Sequence, residues 1–216
     1  MLLLGAMPLV SGLGKPGSLL ATAPEQLVYP AQTLICGAVL LYFWRRYEFG
    51  SVKKMLFTLA IAILVLAIWI APQVVFHAEA RRYGFNPTIF AGNYPLFFSV
   101  LMLRFLRLTI VVPLLEEIFW RGFLLRDFID RDFEKVPFGT YSRFPFLAVT
   151  LLFALAHWGS KTWPPGPDVV PAIFAGALFN LVAYRTRSLG SCVVAHAATN
   201  LLLGIYILQT RQWGFW

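Results

Sequence analysis

The chain contains 216 residues, of which 59% are hydrophobic and only 13% are charged. Soluble domains carry about 25% charged residues, so this composition excludes an ordinary soluble protein and indicates an integral membrane protein. The net charge is +8, but no basic run is interleaved with exposed aromatic residues, so we expect basic loops beside anionic lipid and exclude a nucleic-acid partner. We predict an all-α fold, a polytopic membrane helix bundle forming a single domain over residues 1–216, with about six to eight transmembrane or membrane-embedded helices.

The first third of the chain predicts two full membrane spans. Residues 1–14 are apolar but short, and because no basic residue precedes them we expect a short membrane or interfacial segment and not a cleaved signal peptide. Residues 28–44 predict a span, since they end in the aromatic belt Tyr42-Phe43-Trp44 and two arginines follow. Residues 55–76 predict the next span, which places the basic loop 45–54 in the cytoplasm.

Residues 94–126 form an apolar run that is too long for one straight span, because about 20 residues cross the hydrocarbon. We predict that Arg104 and Arg107 break this run by extending to the outer interface. Residues 94–104 would then lie along the surface, and the span would cover residues 107–126. The polar and basic residues 127–143 predict a cytoplasmic connection.

The last third predicts three spans, at residues 145–160, 169–184 and 189–208, with a proline-rich outer turn at 163–167 and a basic cytoplasmic turn. This topology places eleven basic residues on the cytoplasmic side and five outside, which supports the orientation. We expect an integral protein of the plasma (inner) membrane.

Two adjacent carboxylates lie in the middle of the apolar run. Glu116 and Glu117 occupy a segment in which carboxylates are costly, and such residues indicate a functional site. Arg121 follows Glu117 by four residues, the favourable spacing and order for an ion pair on a helix. Glu116 is rotated by about 100° from Glu117 and has no obvious local partner. We expect Arg121 to hold Glu117 and Glu116 to stay free for chemistry.

Other polar residues fall inside the later spans. Phe153 precedes His157 by four residues and Asn200 follows His196 by four, so each pair shares one helix face. At 1.5 Å per residue, four side chains lie about 13–20 Å below the cytoplasmic ends of their helices: Glu116, His157, His196 and Asn200. We expect them to converge on one polar layer within the membrane, reached from the cytoplasmic side.

Three motifs carry a resemblance to a known family. They are Glu116-Glu117-x-x-x-Arg121, Phe153-x-x-x-His157 and His196-x-x-x-Asn200, in this order. In this pattern the chain resembles the CAAX prenyl endopeptidase and bacteriocin-processing (CPBP, or Abi) family of intramembrane proteases. The resemblance covers residues 105–208, which would form the motif-bearing catalytic core. One departure is Arg187, where the family often has glycine, and it bears on a turn and not on the chemistry.

The resemblance implies a glutamate-dependent intramembrane endopeptidase that forms no covalent intermediate. Glu116 would act as the general base, with His157 holding and polarising the attacking water. His196 and Asn200 would donate hydrogen bonds to the tetrahedral oxyanion. The remaining motif residues would support the site: Glu117, Arg121 and Phe153. The expected substrate is a membrane-tethered or C-terminally lipidated (CAAX-type) protein or peptide, and no metal or other cofactor is expected.

Three other functions stay open on the same residues. A metal-dependent membrane protease would use Glu116, His157 and His196 as ligands, although the absence of HExxH and the presence of Asn200 count against it. A non-enzymatic membrane scaffold or immunity protein would keep the fold without the chemistry. A transporter would use the polar layer as a proton relay.

Overall fold

The computed structural model describes residues 11–15, 18–79, 84–157 and 168–216. Within these ranges the regular secondary structure is helical, without strands, which confirms the all-α fold class. The expected segment 1–14 lies largely outside the described residues, and so does the outer turn 163–167.

Six long helices build the described part of the bundle. They are α1 (Glu25–Tyr42), α2 (Met55–Val74), α3 (Tyr94–Asp127), α4 (Arg143–Ala156), α5 (Val169–Thr186) and α6 (Leu189–Thr210). Short 3-10 turns lie outside them at Trp44–Arg46, Pro87–Phe90, Phe133–Lys135 and Trp213–Phe215. Helices α2, α3, α5 and α6 are long and apolar enough to cross a membrane, so the predicted helical membrane bundle is confirmed.

Helix α4 departs most from its predicted span. It has 14 residues, fewer than the about 20 that cross the hydrocarbon, and it ends at Ala156. His157 is the C-cap residue with φ −98° and ψ 12°, so the helix ends before the predicted limit of the span at residue 160.

Helix α3 is continuous over 34 residues, so the predicted break at Arg104 and Arg107 is wrong. Two π-helical segments, Arg107–Val111 and Ile118–Leu124, widen the helix without interrupting it. The first directly precedes the turn containing Pro113, whose missing N–H would kink an α-helix, and the wider turn accommodates this defect. At 1.5 Å per residue α3 is about 50 Å long, more than the roughly 30 Å of hydrocarbon, so it tilts or extends beyond it.

The break does not form because both arginines find contacts inside the protein. Arg104 is 4% exposed, with its guanidinium carbon 4.4 Å from the ring centroid of Tyr29 and 5.1 Å from that of Phe85. Arg107 lies 4.6 Å over the same Tyr29 ring and donates from Nη2 to Gln32 Oε1 at 3.0 Å. These contacts hold the two side chains against α1 and the loop before α3.

Two hydrophobic clusters hold the bundle together. Helix α6 packs against α2 and α5, and α4 packs along α5. Gly176 on α5 permits the close approach of α4, because a Cβ there would lie 3.3 Å from Phe153 Cδ1. The larger cluster includes Val65, Trp120, Phe153, Phe179 and Ala195. The smaller includes Phe85, Val100, Leu203, Ile207 and Trp216.

A tight turn joins α5 to α6. Arg187 takes the left-handed conformation there, with φ 51°, which glycine adopts at lower cost. Ser188 then caps α6 by accepting a hydrogen bond from Ser191 N at 3.1 Å. The turn brings the two helices side by side and fixes the height of His196 relative to α5.

Candidate active site

A fully buried ion pair lies at the centre of the bundle. Arg121 Nη1 is 3.0 Å from Glu117 Oε1, and both side chains are 0% exposed, so the ion pair predicted from their spacing is confirmed. Arg121 also donates from Nε to Asn180 Oδ1 (3.1 Å) and from Nη2 to Gly176 O (3.2 Å). Burying charges is costly unless hydrogen bonds satisfy them, and this guanidinium binds α3 and α5 together through all three nitrogens.

Aromatic rings and one amide complete the surroundings of Arg121. Its guanidinium carbon lies 4.9 Å from the ring centroid of Phe153 and 5.5 Å from that of Phe179. Asn180 donates in turn to Thr150 Oγ1 at 3.1 Å, which ties α5 to α4. Asn180 is not among the site residues predicted from the sequence, although an amide within the apolar span 169–184 is the same signal that indicated Asn200.

His196 extends the network from α6. Its Nδ1 lies 2.8 Å from Glu117 Oε1, and its ring stacks on Phe179 with centroids 5.0 Å apart. Because a carboxylate oxygen accepts, Nδ1 carries the proton, and Nε2 is the ring nitrogen that remains for other contacts. Glu117 therefore fixes the orientation of His196 as well as holding Arg121.

Asn200 lies one helical turn after His196. Its Nδ2 donates to Leu108 O at 2.9 Å, a carbonyl in the first π-helical segment of α3. The wider hydrogen-bond spacing of a π segment leaves carbonyls that side chains can bind. The amide of Asn200 has a second N–H, so one donor holds it to α3 and the other remains.

His157 is positioned by its place at the end of α4. Its Nδ1 lies 2.8 Å from Phe153 O, which accepts a hydrogen bond and so places the proton on Nδ1. Its ring contacts the rings of Phe153 and Trp69, with centroids 4.6 and 5.8 Å away. The Nε2 lone pair is therefore the free acceptor of His157.

Glu116 is the partly exposed member of the two carboxylates. Its Oε2 atom is buried and has no hydrogen-bond partner among the described residues. A buried acceptor without a donor costs about 1–3 kcal/mol, and native structures keep few such groups outside functional sites. Glu117 Oε2 also lacks a partner among the described residues, so the two carboxylates differ at Oε1, which in Glu117 is bound by Arg121 and His196.

One cavity of about 160 Å³ joins these side chains. Its polar wall is formed by Glu116 from α3, His157 from the end of α4, and His196 and Asn200 from α6. Its apolar wall includes Val65, Trp69, Val112, Phe153 and Phe179. The four residues selected from the sequence therefore line one cavity, which is large enough for water and a small part of a substrate.

The donor set does not form a three-ligand metal site. Within the described ranges, no group of three or more His, Cys, Asp or Glu side chains is close enough to hold a metal ion. Glu116, His157 and His196 all lie in those ranges, so their arrangement does not fit the metalloprotease alternative, which needs three converging ligands.

One comparison with known proteins gives a match. Residues 97–202 match the sequence model of the Rce1-like family, described as type II CAAX prenyl endopeptidases. The matched range contains every residue that the sequence analysis selected for the site. Neither the curated proteins nor the solved structures gave a match.

Proposed function

Since the chain belongs to the Rce1-like family of type II CAAX prenyl endopeptidases, we propose that it is a membrane-embedded protease that uses Glu116 to activate water. The observation that carries the proposal is the shared cavity, where Glu116, with its unsatisfied Oε2, lies beside two histidines and an asparagine. The family and the four long apolar helices indicate an integral membrane protein. The positive charges predicted on the inner side support a plasma-membrane site reached from the cytoplasm.

The chemical step requires a base and an oriented water molecule. Glu116 accepts a proton from water as the water oxygen bonds to the carbonyl carbon of the scissile peptide. His157 Nε2 accepts the other water proton as a hydrogen bond and so directs the attacking lone pair. The tetrahedral intermediate then breaks its C–N bond, and protonated Glu116 returns the proton to the leaving amine. The products are a new carboxyl terminus and a free amine.

Asn200 and His196 stabilise the oxyanion of that intermediate. Asn200 offers its second N–H in every protonation state, because its first is held by Leu108 O. Because the Nδ1–H of His196 already binds Glu117, His196 would donate from Nε2 only with both ring nitrogens protonated. One such donor raises kcat by a factor of about 10²–10³.

The size of the cavity limits what enters it. Sites for whole small molecules span about 300–1,000 Å³, so a cavity of about 160 Å³ holds the scissile bond and its immediate neighbours only. The rest of the substrate then lies outside the cavity. The family supports a substrate that carries a CAAX terminus, in which a prenyl group on the cysteine tethers the protein to the bilayer.

The decisive test is Glu116→Gln in purified protein reconstituted into lipid vesicles. The substrate is a synthetic prenylated peptide with a CAAX terminus, and mass spectrometry identifies the cleaved bond. We expect the rate to fall by about 10²–10⁴-fold, because the base is lost while the side-chain shape is kept. Glu134→Gln, which changes an exposed glutamate, serves as the matched control and keeps the wild-type rate.

Wild-type turnover by Glu116→Gln would contradict the glutamate mechanism. If the wild-type protein does not cut the peptide and a cellular phenotype is unchanged in Glu116→Gln, the non-enzymatic scaffold is the correct alternative.

A further inference from the structure

The side chain of Asn180 on α5 joins α4 to the rest of the bundle through hydrogen bonds. It is 0% exposed. Its Nδ2 donates to Phe146 O at 3.2 Å and to Thr150 Oγ1 at 3.1 Å, and both acceptors belong to α4. Among the residues that the structure describes, these are the only hydrogen bonds from α4 to another helix. The position of α4 along α5 therefore depends on apolar packing and on this one amide.

The orientation of the amide follows from the chemistry of its partners. A guanidinium only donates hydrogen bonds, so Asn180 Oδ1 is the atom that lies 3.1 Å from Arg121 Nε. A carbonyl oxygen only accepts, so the Nδ2 of Asn180 faces Phe146 O. Thr150 Oγ1 gives its own proton to Phe146 O at 2.8 Å and accepts from Asn180 with a lone pair. Asparagine fits this position because it carries an acceptor for α3 and donors for α4 on one planar group.

The link to α4 lies on the helix face that carries His157. Thr150 and His157 are seven residues apart, which is about two helical turns and about 10 Å along the axis. Phe153 lies between them on the same face, and its ring centroid is 4.6 Å from that of His157. Because a helix moves as a rigid body, a shift of Thr150 along α5 displaces His157 by a similar distance. The hydrogen bonds of Asn180 therefore fix the place of His157 in the cavity.

The link to α3 reaches the second histidine of the cavity. Arg121 Nη1 binds Glu117 Oε1 at 3.0 Å, and the same oxygen accepts a hydrogen bond from His196 Nδ1 at 2.8 Å. The guanidinium is planar and rigid, so the position of its Nε determines where Nη1 meets the carboxylate. Asn180 is thus connected to His196 through the ion pair, as it is connected to His157 through α4.

We propose that Asn180 is a positioning residue for hydrolysis, which sets the distance between His157 and His196 across the cavity. Asn180 does not line the cavity, so it acts through the residues that it binds. The proposal rests on the proposed function and adds to it a residue outside the cavity wall. The attacking water and the scissile carbonyl must meet beside Glu116, and a displacement of about 1 Å lowers the rate by up to about 10²-fold.

A purely structural role is the alternative. Asn180 would then stabilise the packing of three helices, and its loss would lower the melting temperature while the protein that stays folded keeps the wild-type kcat. A positioning role predicts a lower kcat with KM little changed, because the surface that binds the substrate is kept. The two roles therefore differ in the turnover of the folded protein.

The test measures kcat, KM and melting temperature of purified variants in lipid vesicles, with a prenylated CAAX peptide and at a temperature at which each variant is folded. Asn180→Leu keeps the approximate shape of the side chain and removes every hydrogen bond of the amide. We expect kcat to fall by about 10–10²-fold with little change in KM. Thr186→Val is the matched control and keeps the wild-type kcat, because it removes a buried hydroxyl of the same helix that donates to Val182 O within α5.

A second set of variants tests the same link without leaving Arg121 short of an acceptor. Thr150→Val removes one of the two acceptors on α4, so kcat should fall less, by about two- to tenfold. Thr150→Ser keeps the hydroxyl and should restore the wild-type rate. The double variant Asn180→Leu with Thr150→Val should lose no more than Asn180→Leu alone, because both changes break the same bond.

The outcomes separate the positioning role from the hydrolytic site. Wild-type kcat in Thr150→Val, or in Asn180→Leu where it folds, overturns the positioning role, and so does an effect on KM alone. Either result leaves the proposed function standing as long as Glu116→Gln is inactive. A wild-type protein that cleaves no peptide overturns the proposed function and the positioning role together.

Discussion

The two adjacent carboxylates of α3 lie in opposite environments. Glu117 is 0% exposed and accepts hydrogen bonds from Arg121 and His196, which join α3 to α5 and α6. Glu116 lies on the cavity wall with Oε2 unsatisfied. One position along a helix thus separates a carboxylate that stabilises the bundle from one that remains reactive. A carboxylate bound by a guanidinium and an imidazole therefore lies next to one that lines the cavity.

Among changes to the Glu117–Arg121 ion pair, Arg121→Met is expected to lower the free energy of unfolding most. This change leaves Glu117 buried with only His196 as a partner, and breaking a buried pair from one side costs about 3–5 kcal/mol. Unfolding by denaturant in detergent micelles measures the free energy. The double variant Glu117→Leu with Arg121→Met should recover part of the loss, because no unpaired charge remains. A single variant as stable as the wild type would show that the pair does not hold the helices.

Among the residues that line the cavity with Glu116, Asn200 is the next to test. Asn200→Ala should lower kcat by about 10²–10³-fold with little change in KM, because the lost N–H acts on the oxyanion and not on the bound substrate. Steady-state kinetics on the prenylated CAAX peptide provide the measurement. Thr210→Ala, an exposed change near the end of the same helix, is the control. An effect confined to KM would assign Asn200 to substrate binding instead.

The smallest effect is expected for a substitution in the turn between α5 and α6. Arg187 has φ 51°, so Arg187→Gly should relieve backbone strain of about 1 kcal/mol and leave the rate unchanged. The melting temperature should rise slightly. A fall in both stability and rate would show that the Arg187 side chain has a role of its own.

The sequence predicted local relations well, but it did not predict the contacts that hold individual polar side chains. Spacing alone gave the Glu117–Arg121 pair, and hydropathy placed α2, α5 and α6 close to their observed ends. The predicted break in α3 was wrong because the residues that contact Arg104 come from segments far away in the sequence. Local hydropathy gives no information about such contacts. The same limit applies to the bond between Asn200 and Leu108 O, since it depends on a π-helical segment with no simple sequence signature.

The most direct test of the central claim compares Glu116→Gln with Glu117→Gln in the same vesicles, by hydrolysis rate and by melting temperature. The account predicts that Glu116→Gln loses about 10²–10⁴ in rate while its melting temperature is unchanged or higher, and that Glu117→Gln melts at a clearly lower temperature. If Glu117→Gln keeps its stability while Glu116→Gln unfolds or remains fully active, the division of roles between the two carboxylates is wrong.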